Sequence, residues 1–361
     1  TEIIASYPWY GNWGRDSLIA LPGLTLCLGD IKTCNEVLST IANQISGITY
    51  TNIGNIERHN VESADTPLWF IWAVQQYAYH IKNFKDVNKK FYNKIIEILN
   101  EYKKKKNPSI LMHENGLLFL PDSEKNLTWM DAQVNGKNVL TRYGYVVEIN
   151  SLWYNAVCFL LEYAEAIGDK NIKKEWESFP LQIEKSFNTI FWSPEKQYLA
   201  DYVDNTKKDF TVRPNQLFAV SLPYSPLSDE NRKKAILDVI EKELLTPRGI
   251  RSLSPMHPLY KGTCEGTKQD RDYAYHQGSA WPWLLGHFIE AYLKLHQRTG
   301  YKLAKKIYEN FEPEIRNHGL GSISEIYDGN PPHEPRGSIS QAWSVAELLR
   351  IKYMIDNLDN K

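Results

Sequence analysis

Helices apolar on every side take turns along this chain with lysine-rich helices apolar on one side only, and that alternation restricts the available folds more than any motif. Hydrophobic periodicity predicts helices over residues 17–28, 31–45, 66–81, 86–104, 149–167, 171–191, 215–221, 229–244, 279–295, 303–317 and 340–358. Segments 17–28, 66–81, 149–167, 279–295 and 340–358 are the apolar kind; 86–104, 171–191, 229–244 and 303–317 are amphipathic. A helix apolar all round needs neighbours all round, whereas an amphipathic one turns a face to water. An inner circle of the first kind wrapped by an outer circle of the second satisfies both. The expected fold is therefore all-α, an (α/α)6 barrel or six-hairpin toroid. Such a ring has twelve helices, so the one not seen is expected to precede Thr1. The 361 residues are read as a single domain, 1–361, since some toroids of this length form one unit.

Local signals agree with the pattern. Asp30 and Asp65 stand where N-caps belong, Pro67 in a first turn, and Gly168 at a helix C-terminus. The stretch 107–148 is the one long region without helical periodicity, and long irregular connections tend to be functional. Residues 192–214 are expected to form a small hairpin.

Charge excludes several function classes. With 42 basic and 43 acidic residues, the net charge of −1 offers no bulk attraction to nucleic acid or an anionic membrane. The basic run 103–106 reads as a solvated helix end. Cysteines 27, 34, 158 and 264 form no CxxC and no zinc spacing, which suggests buried thiols in a reducing compartment, the cytoplasm. No apolar run is long enough to span a bilayer and no signal peptide is visible. No phosphate loop, Ser-His-Asp signature or dinucleotide fingerprint occurs, so no cofactor and no metal are expected.

Aromatic content is the anomaly: 11 Trp, 22 Tyr and 12 Phe. Many of the tryptophans stand beside Asp, Arg, Gln and Gly rather than in apolar runs. That is the makeup of a sugar site, with rings for the CH faces of a pyranose and carboxylates and amides for its hydroxyls. The polar-aromatic segments also share a position, each preceding an inner helix. They are 9–16 (WYGNWGRD), 62–65, the pair Asp131 and Glu148, 213–216, 275–281 and the Gly-, Pro- and Ser-rich loop 319–341. Inner helices running parallel in a ring would bring all of them to one end.

Glycoside hydrolysis needs one carboxylic acid to protonate the leaving oxygen and one carboxylate to activate water. Asp131 lies between Trp129-Met130 and Ala132, where apolar neighbours should raise its pKa and suit it to be the acid. Glu325, beside Ser324 and near Tyr327 in a turn rich in amides, should stay ionised as the base. The plainer alternatives are a capping Asp131, or one paired with Arg142, and a surface loop around Glu325. Asp16 should stay ionised beside Arg15, either as a structural ion pair or gripping sugar hydroxyls. Trp9, Trp13, Arg15, Asp16, Asp65, Trp129, Glu148, His276, Gln277, Trp281 and Trp343 are the expected substrate-binding residues. His276 lacks a partner at metal-ligand spacing, so a hydrogen bond to sugar or backbone is the expectation.

The segments YPWYGNWGRDSLIALPGL, TWMDA, VEINSLWYNA, YHQGSAWPWLLG and SEIYDGNPPHEPRGSISQAWSVAELLR resemble the C-terminal glucosidase domain of glycogen debranching enzymes, the amylo-α-1,6-glucosidases. The resemblance covers essentially the whole chain. It implies an (α/α)6 barrel and inverting hydrolysis of single α-1,6-linked glucose stubs on glycogen or limit dextrin, with the family's acid on Asp131 and its base on Glu325. It also implies a branched α-glucan as partner and an N-terminal domain that helps hold it. A more distant similarity to glucoamylase runs through residues 13–17, which there grip the terminal glucose, and through Trp343-Ser344. Tyr10, Asn12 and Tyr145 depart from the usual family residues. Two other functions are compatible with the sequence: an exo-glucosidase of other linkage (α-1,4 or trehalose), and a glycan-binding domain without catalysis.

Overall fold

Six inner helices close on one another, and what closes the ring is a backbone contact. In the computed structural model, which describes residues 1–53, 58–87, 89–104 and 107–359, a Cβ on Gly23 would meet the Ala346 carbonyl oxygen at 2.0 Å. Only glycine lets the first and last helices of the chain approach that closely. Position 88 of the expected helix 86–104 and positions 105 and 106 of the basic run lie outside the described residues.

In chain order the α-helices are α1 (Gly14–Leu24), α2 (Ile31–Gln44), α3 (Thr66–Ile81), α4 (Lys89–Lys103), α5 (Val147–Ile167), α6 (Lys170–Trp176), α7 (Phe179–Phe191), α8 (Phe218–Ser221), α9 (Glu230–Glu243), α10 (Lys268–Tyr275), α11 (Leu284–His296), α12 (Tyr301–Glu309), α13 (Glu312–Asn317) and α14 (Ala342–Asp359). Helix α1 packs on α3, α3 on α5, α5 on α8, α8 on α11, α11 on α14, and α14 back on α1. Outside that circle α2 lies against α1 and α3, α4 against α3 and α5, α6 and α7 against α5, α9 against α11, and α12 against α14. The fold is all-α, and its short strands belong to the connections.

Burial follows the pattern read from sequence. Most of α3 and α5 is buried, whereas α4 buries one stripe: Phe91, Tyr92, Ile95, Ile98, Leu99 and Tyr102. Each such side chain contributes roughly 1.5–3 kcal/mol relative to exposure. One hydrophobic cluster runs from Leu18 to Ile355. Asp30 caps α2 by accepting from the Thr33 N–H at 2.9 Å, and Gly168 ends α5 at φ 79°. Asp65 makes no side-chain cap on α3; its carboxylate is used elsewhere.

Several boundaries differ from expectation. Segment 17–28 breaks at Thr25 into α1 and a 3-10 turn, Leu26–Leu28. Segments 171–191 and 303–317 each divide in two, with Pro180 and Pro313 in the first turn of the second piece. A proline there is harmless, but it removes the N–H a continuous helix would need. Residues 279–283 are not helical. Ala280–Trp281 instead joins a five-stranded sheet with Leu245–Thr246, Gly249–Arg251, Ile326–Tyr327 and Pro335–Arg336. The expected single hairpin in 192–214 is two hairpins, Trp192–Ser193 with Tyr198–Leu199 and Tyr202–Val203 with Lys208–Asp209. Ala280 opposes Tyr327 in the sheet, which ties the loop before α11 to the loop carrying Glu325. Among the described residues no helix is long and apolar enough to cross a membrane.

Candidate active site

Four of the six segments that enter inner helices line one cavity, and segments 62–65 and 213–216 do not. A cavity of about 440 Å3 is lined by Tyr10, Trp13, Arg15 and Asp16 from the entry to α1, Trp129 and Asp131 ahead of α5, Tyr275, His276 and Trp281 ahead of α11, and Glu325 and Trp343 at α14. Its floor is aromatic. Trp129 meets Trp281 edge-on at 5.3 Å between ring centres, and Trp281 meets Trp343 at 5.9 Å. His276 stacks on Trp281 at 5.1 Å, and the Trp129 indole N–H donates to Asn215 Oδ1 at 2.8 Å.

Three acidic residues line this cavity, Asp16, Asp131 and Glu325, and the last two lie at different depths. The Asp131 side chain is 43% exposed, while Glu325 is only 3% exposed. Both Glu325 oxygens are held: the Tyr275 hydroxyl donates to Oε1, and the Ser338 backbone N–H and hydroxyl donate to Oε2 at 3.0 and 3.1 Å. Gly337 permits this. Its φ is +67°, and a Cβ there would stand 2.4 Å from Glu325 Oε2. Burial of Tyr275, together with the Glu325 charge, raises its pKa well above the usual value, so it is a neutral donor.

Asp131 accepts from Arg15 Nη1 at 3.2 Å. Arg15 is fixed from behind, with Nε and Nη2 donating to the two Asp65 oxygens at 2.8 and 2.9 Å, and Nη2 also donating to Ser63 Oγ at 3.3 Å. His276 Nε2 stands 3.8 Å from Asp131 Oδ1, beyond hydrogen-bond length.

The electrostatics overturn the expected directions. Enclosure by the pocket pushes the Asp131 pKa up, but the His276 ring and the Arg15 guanidinium outweigh it, and the net shift is down. Burial pushes the Glu325 pKa up, and the donors from Tyr275 and Ser338 offset that only in part. Sequence adjacency to Trp129 and Met130 misled because Met130 is fully buried and Trp129 packs edge-on against Trp281, while the Asp131 carboxylate turns toward Arg15. Asp16 is also corrected. Arg15 pairs with Asp65 and Asp131, and Asp16 instead accepts from Gln341 Nε2 at 2.9 Å. Burial, opposed by Arg15 and reinforced by Glu325 and Asp131, raises the Asp16 pKa to about 7.

Four expected binding residues do not line the cavity. Asp65 backs Arg15, and Gln277 Oε1 accepts from Arg213 Nη2 at 2.7 Å. Glu148 is buried against Arg142, which also grips Asp201. Arg142 is therefore no partner of Asp131. Trp9 lines an adjoining cavity and is 60% exposed. The sequence reading gave no role to Tyr275, Ser338 or Gln341. Tyr275, beside His276 in a segment already singled out, was the findable one; Ser338 and Gln341 had no signal beyond loop composition.

Replacing Tyr275 by Phe removes a donor that favours ionised Glu325. The Glu325 pKa should therefore move further up, read as a carboxyl 13C titration at higher pH in the variant than in the parent. An unchanged titration would mean the Tyr275 contact does not act on the charge of Glu325.

Inner helices close a circle, tryptophans and carboxylates from the segments that enter them line one cavity, and the chain matches a family of glycoside hydrolases. It belongs to the amylo-alpha-1,6-glucosidase family, whose model matches residues 1–350. The glycogen debranching enzyme of Saccharomyces cerevisiae is 23% identical to it, in an alignment covering 94% of this chain and 29% of that enzyme. The chain thus spans under a third of the length of that relative. The crystal structure of an uncharacterized conserved protein from Thermus thermophilus shares the fold, with a TM-score of 0.69 at 13% identity over 97% of this chain and 95% of that one.

Proposed function

We propose that this chain acts as one catalytic unit that removes single α-1,6-linked glucose stubs from a branched α-glucan with inversion, Asp131 serving as general acid and Glu325 as general base. The observation that carries the reading is the unequal depth of the two carboxylates in one sugar-sized pocket. The leaving group is a polymer and must stay outside, so the acid belongs at the open side, where Asp131 stands. The attacking water is small and can be held deep, where both oxygens of Glu325 are fixed.

The proposed reaction balances simply. Asp131 gives its proton to the glycosidic oxygen as the C1–O bond breaks. Glu325 takes a proton from water as the water oxygen bonds to C1 from the opposite face. The products are β-glucose and a debranched glucan, and solvent restores both protonation states. In the free protein Asp131 is held down and Glu325 up, the reverse of the order these roles need. A bound glucan would strip water from the exposed Asp131 side chain, and desolvation raises a carboxyl pKa. The raised pKa of Glu325 makes it a stronger base once ionised. Arg15, held by Asp65, and Asp16, held by Gln341, would grip hydroxyls of the terminal glucose.

The test is choice of substrate. Phosphorylase limit dextrin trimmed to single-glucose stubs should release glucose at a kcat/KM well above that for maltose-type or trehalose substrates. Preference for maltose or trehalose would move the assignment to another linkage, and sugar binding without glucose release from any of them would remove catalysis.

A further inference from the structure

Beside the pocket lies a second cavity, of about 630 Å3. The two share Tyr10, Tyr275 and Glu325, and Asp131 lines the pocket but not this chamber. A third, small cavity of about 40 Å3 touches Asp131 and not Glu325. The chamber therefore adjoins the Glu325 side. In an inverting displacement the leaving glucan departs on the side of the acid, and water arrives on the side of the base.

The chamber wall is dense in charge, and its three cations, Lys268, Arg271 and Arg336, are balanced by three carboxylates, Glu265, Asp272 and Glu325. Arg336 Nη2 pairs with Asp328 at 2.8 Å and with Glu265 at 3.2 Å; Lys268 pairs with Asp272; Arg271 Nη1 donates to the Gly266 carbonyl at 2.7 Å. Fixed donors and acceptors without surplus charge suit a neutral, hydroxyl-rich ligand better than an ion. Trp9 and Tyr10, 60% and 39% exposed, add aromatic surface of the kind that meets sugar CH faces.

We propose that this chamber is a second neutral-sugar site, which receives the released monosaccharide from the pocket on the Glu325 side. The inference rests on the function proposed above. A glucan segment has the same hydroxyl chemistry as free glucose, so the experiment carries both.

The pocket is first saturated with 1-deoxynojirimycin, an iminosugar. D-glucose, and separately maltotetraose, is then titrated into the blocked protein by saturation-transfer NMR. Glucose should still bind, and Trp9→Ala and Arg271→Trp should each weaken that binding by about tenfold without changing the iminosugar affinity. Complete displacement of glucose by the iminosugar, or glucose binding indifferent to both variants, would overturn the proposal. Maltotetraose binding where glucose does not would overturn the monosaccharide assignment. Binding here needs no turnover, so failure to release glucose from limit dextrin counts against the proposed function alone. An iminosugar that fails to bind also counts against that function, and the two variants then report on the chamber directly.

Discussion

Asp131→Asn is expected to lower turnover of a branched glucan by about 10²–10⁴-fold, the range that general acid catalysis contributes, and to spare α-D-glucosyl fluoride, whose leaving group needs no proton. Glu325→Gln should lose both activities, because either substrate still needs an activated water. The pair of substrates matters because the shifts in the free protein run the other way, with Asp131 down and Glu325 up. If the roles were exchanged, Glu325→Gln would be the variant rescued by the fluoride. Neither substitution should unfold the chain. Asp131 is 43% exposed, and its partner Arg15 keeps both bonds to Asp65 when Asp131 becomes neutral. Gln in place of Glu325 keeps an oxygen for the Ser338 N–H.

Arg142→Met is expected to be the most destabilising single change outside the pocket. The Arg142 side chain is fully buried, with Nη2 on Glu148 Oε2 at 2.6 Å and on Asp201 Oδ1 at 3.0 Å, and Nε on Asp201 Oδ2 at 2.6 Å. Met fills similar space but leaves two buried carboxylates facing each other. Breaking a buried pair in this way costs about 3–5 kcal/mol. The loss should grow with pH. Burial already raises the Glu148 pKa, with Arg142 pulling it down; without the arginine it rises further. A group whose folded pKa lies above its unfolded value stabilises the fold at low pH and loses that contribution as pH rises through the folded pKa. Thermal melts at pH 5 and pH 8 should thus show the larger deficit at pH 8. Equal melts for parent and variant would mean Arg142 does not hold the fold. Activity should fall too, since Asp201 Oδ1 accepts from Asn215 at 2.7 Å and Asn215 holds the Trp129 indole.

The helical ring was legible because its determinant is periodic. Helices α3 and α5 are apolar on all sides and sit inside, while α4 is apolar on one stripe and sits outside. The short sheet that sets the site was not legible. Strands of two residues such as Ala280–Trp281 and Ile326–Tyr327 carry no alternation to read, and their pairing joins segments far apart in sequence. The site itself divides the same way. Trp13, Arg15, Asp16, Trp129, Asp131, His276, Trp281, Glu325 and Trp343 share one cavity, as their positions ahead of inner helices suggested. Their charge states could not be read from neighbours in sequence. Besides burial, the partners that shift them are His276 and Arg15 for Asp131, Tyr275 and Ser338 for Glu325, and Arg15, Glu325 and Asp131 for Asp16, most of them from other loops. Glu148 looked like a site residue because it opens an inner helix, but its side chain turns inward to Arg142.

Proton NMR of the sugar in its first seconds, while wild-type protein acts on stub-bearing limit dextrin, puts the pairing of Asp131 with Glu325 to its most direct trial. A water delivered by Glu325 to the face opposite the departing glucan gives β-glucose first, followed by slow mutarotation. An initial signal from α-glucose would contradict the account, because retention requires a nucleophile bonded to C1 and leaves no place for a base-held water.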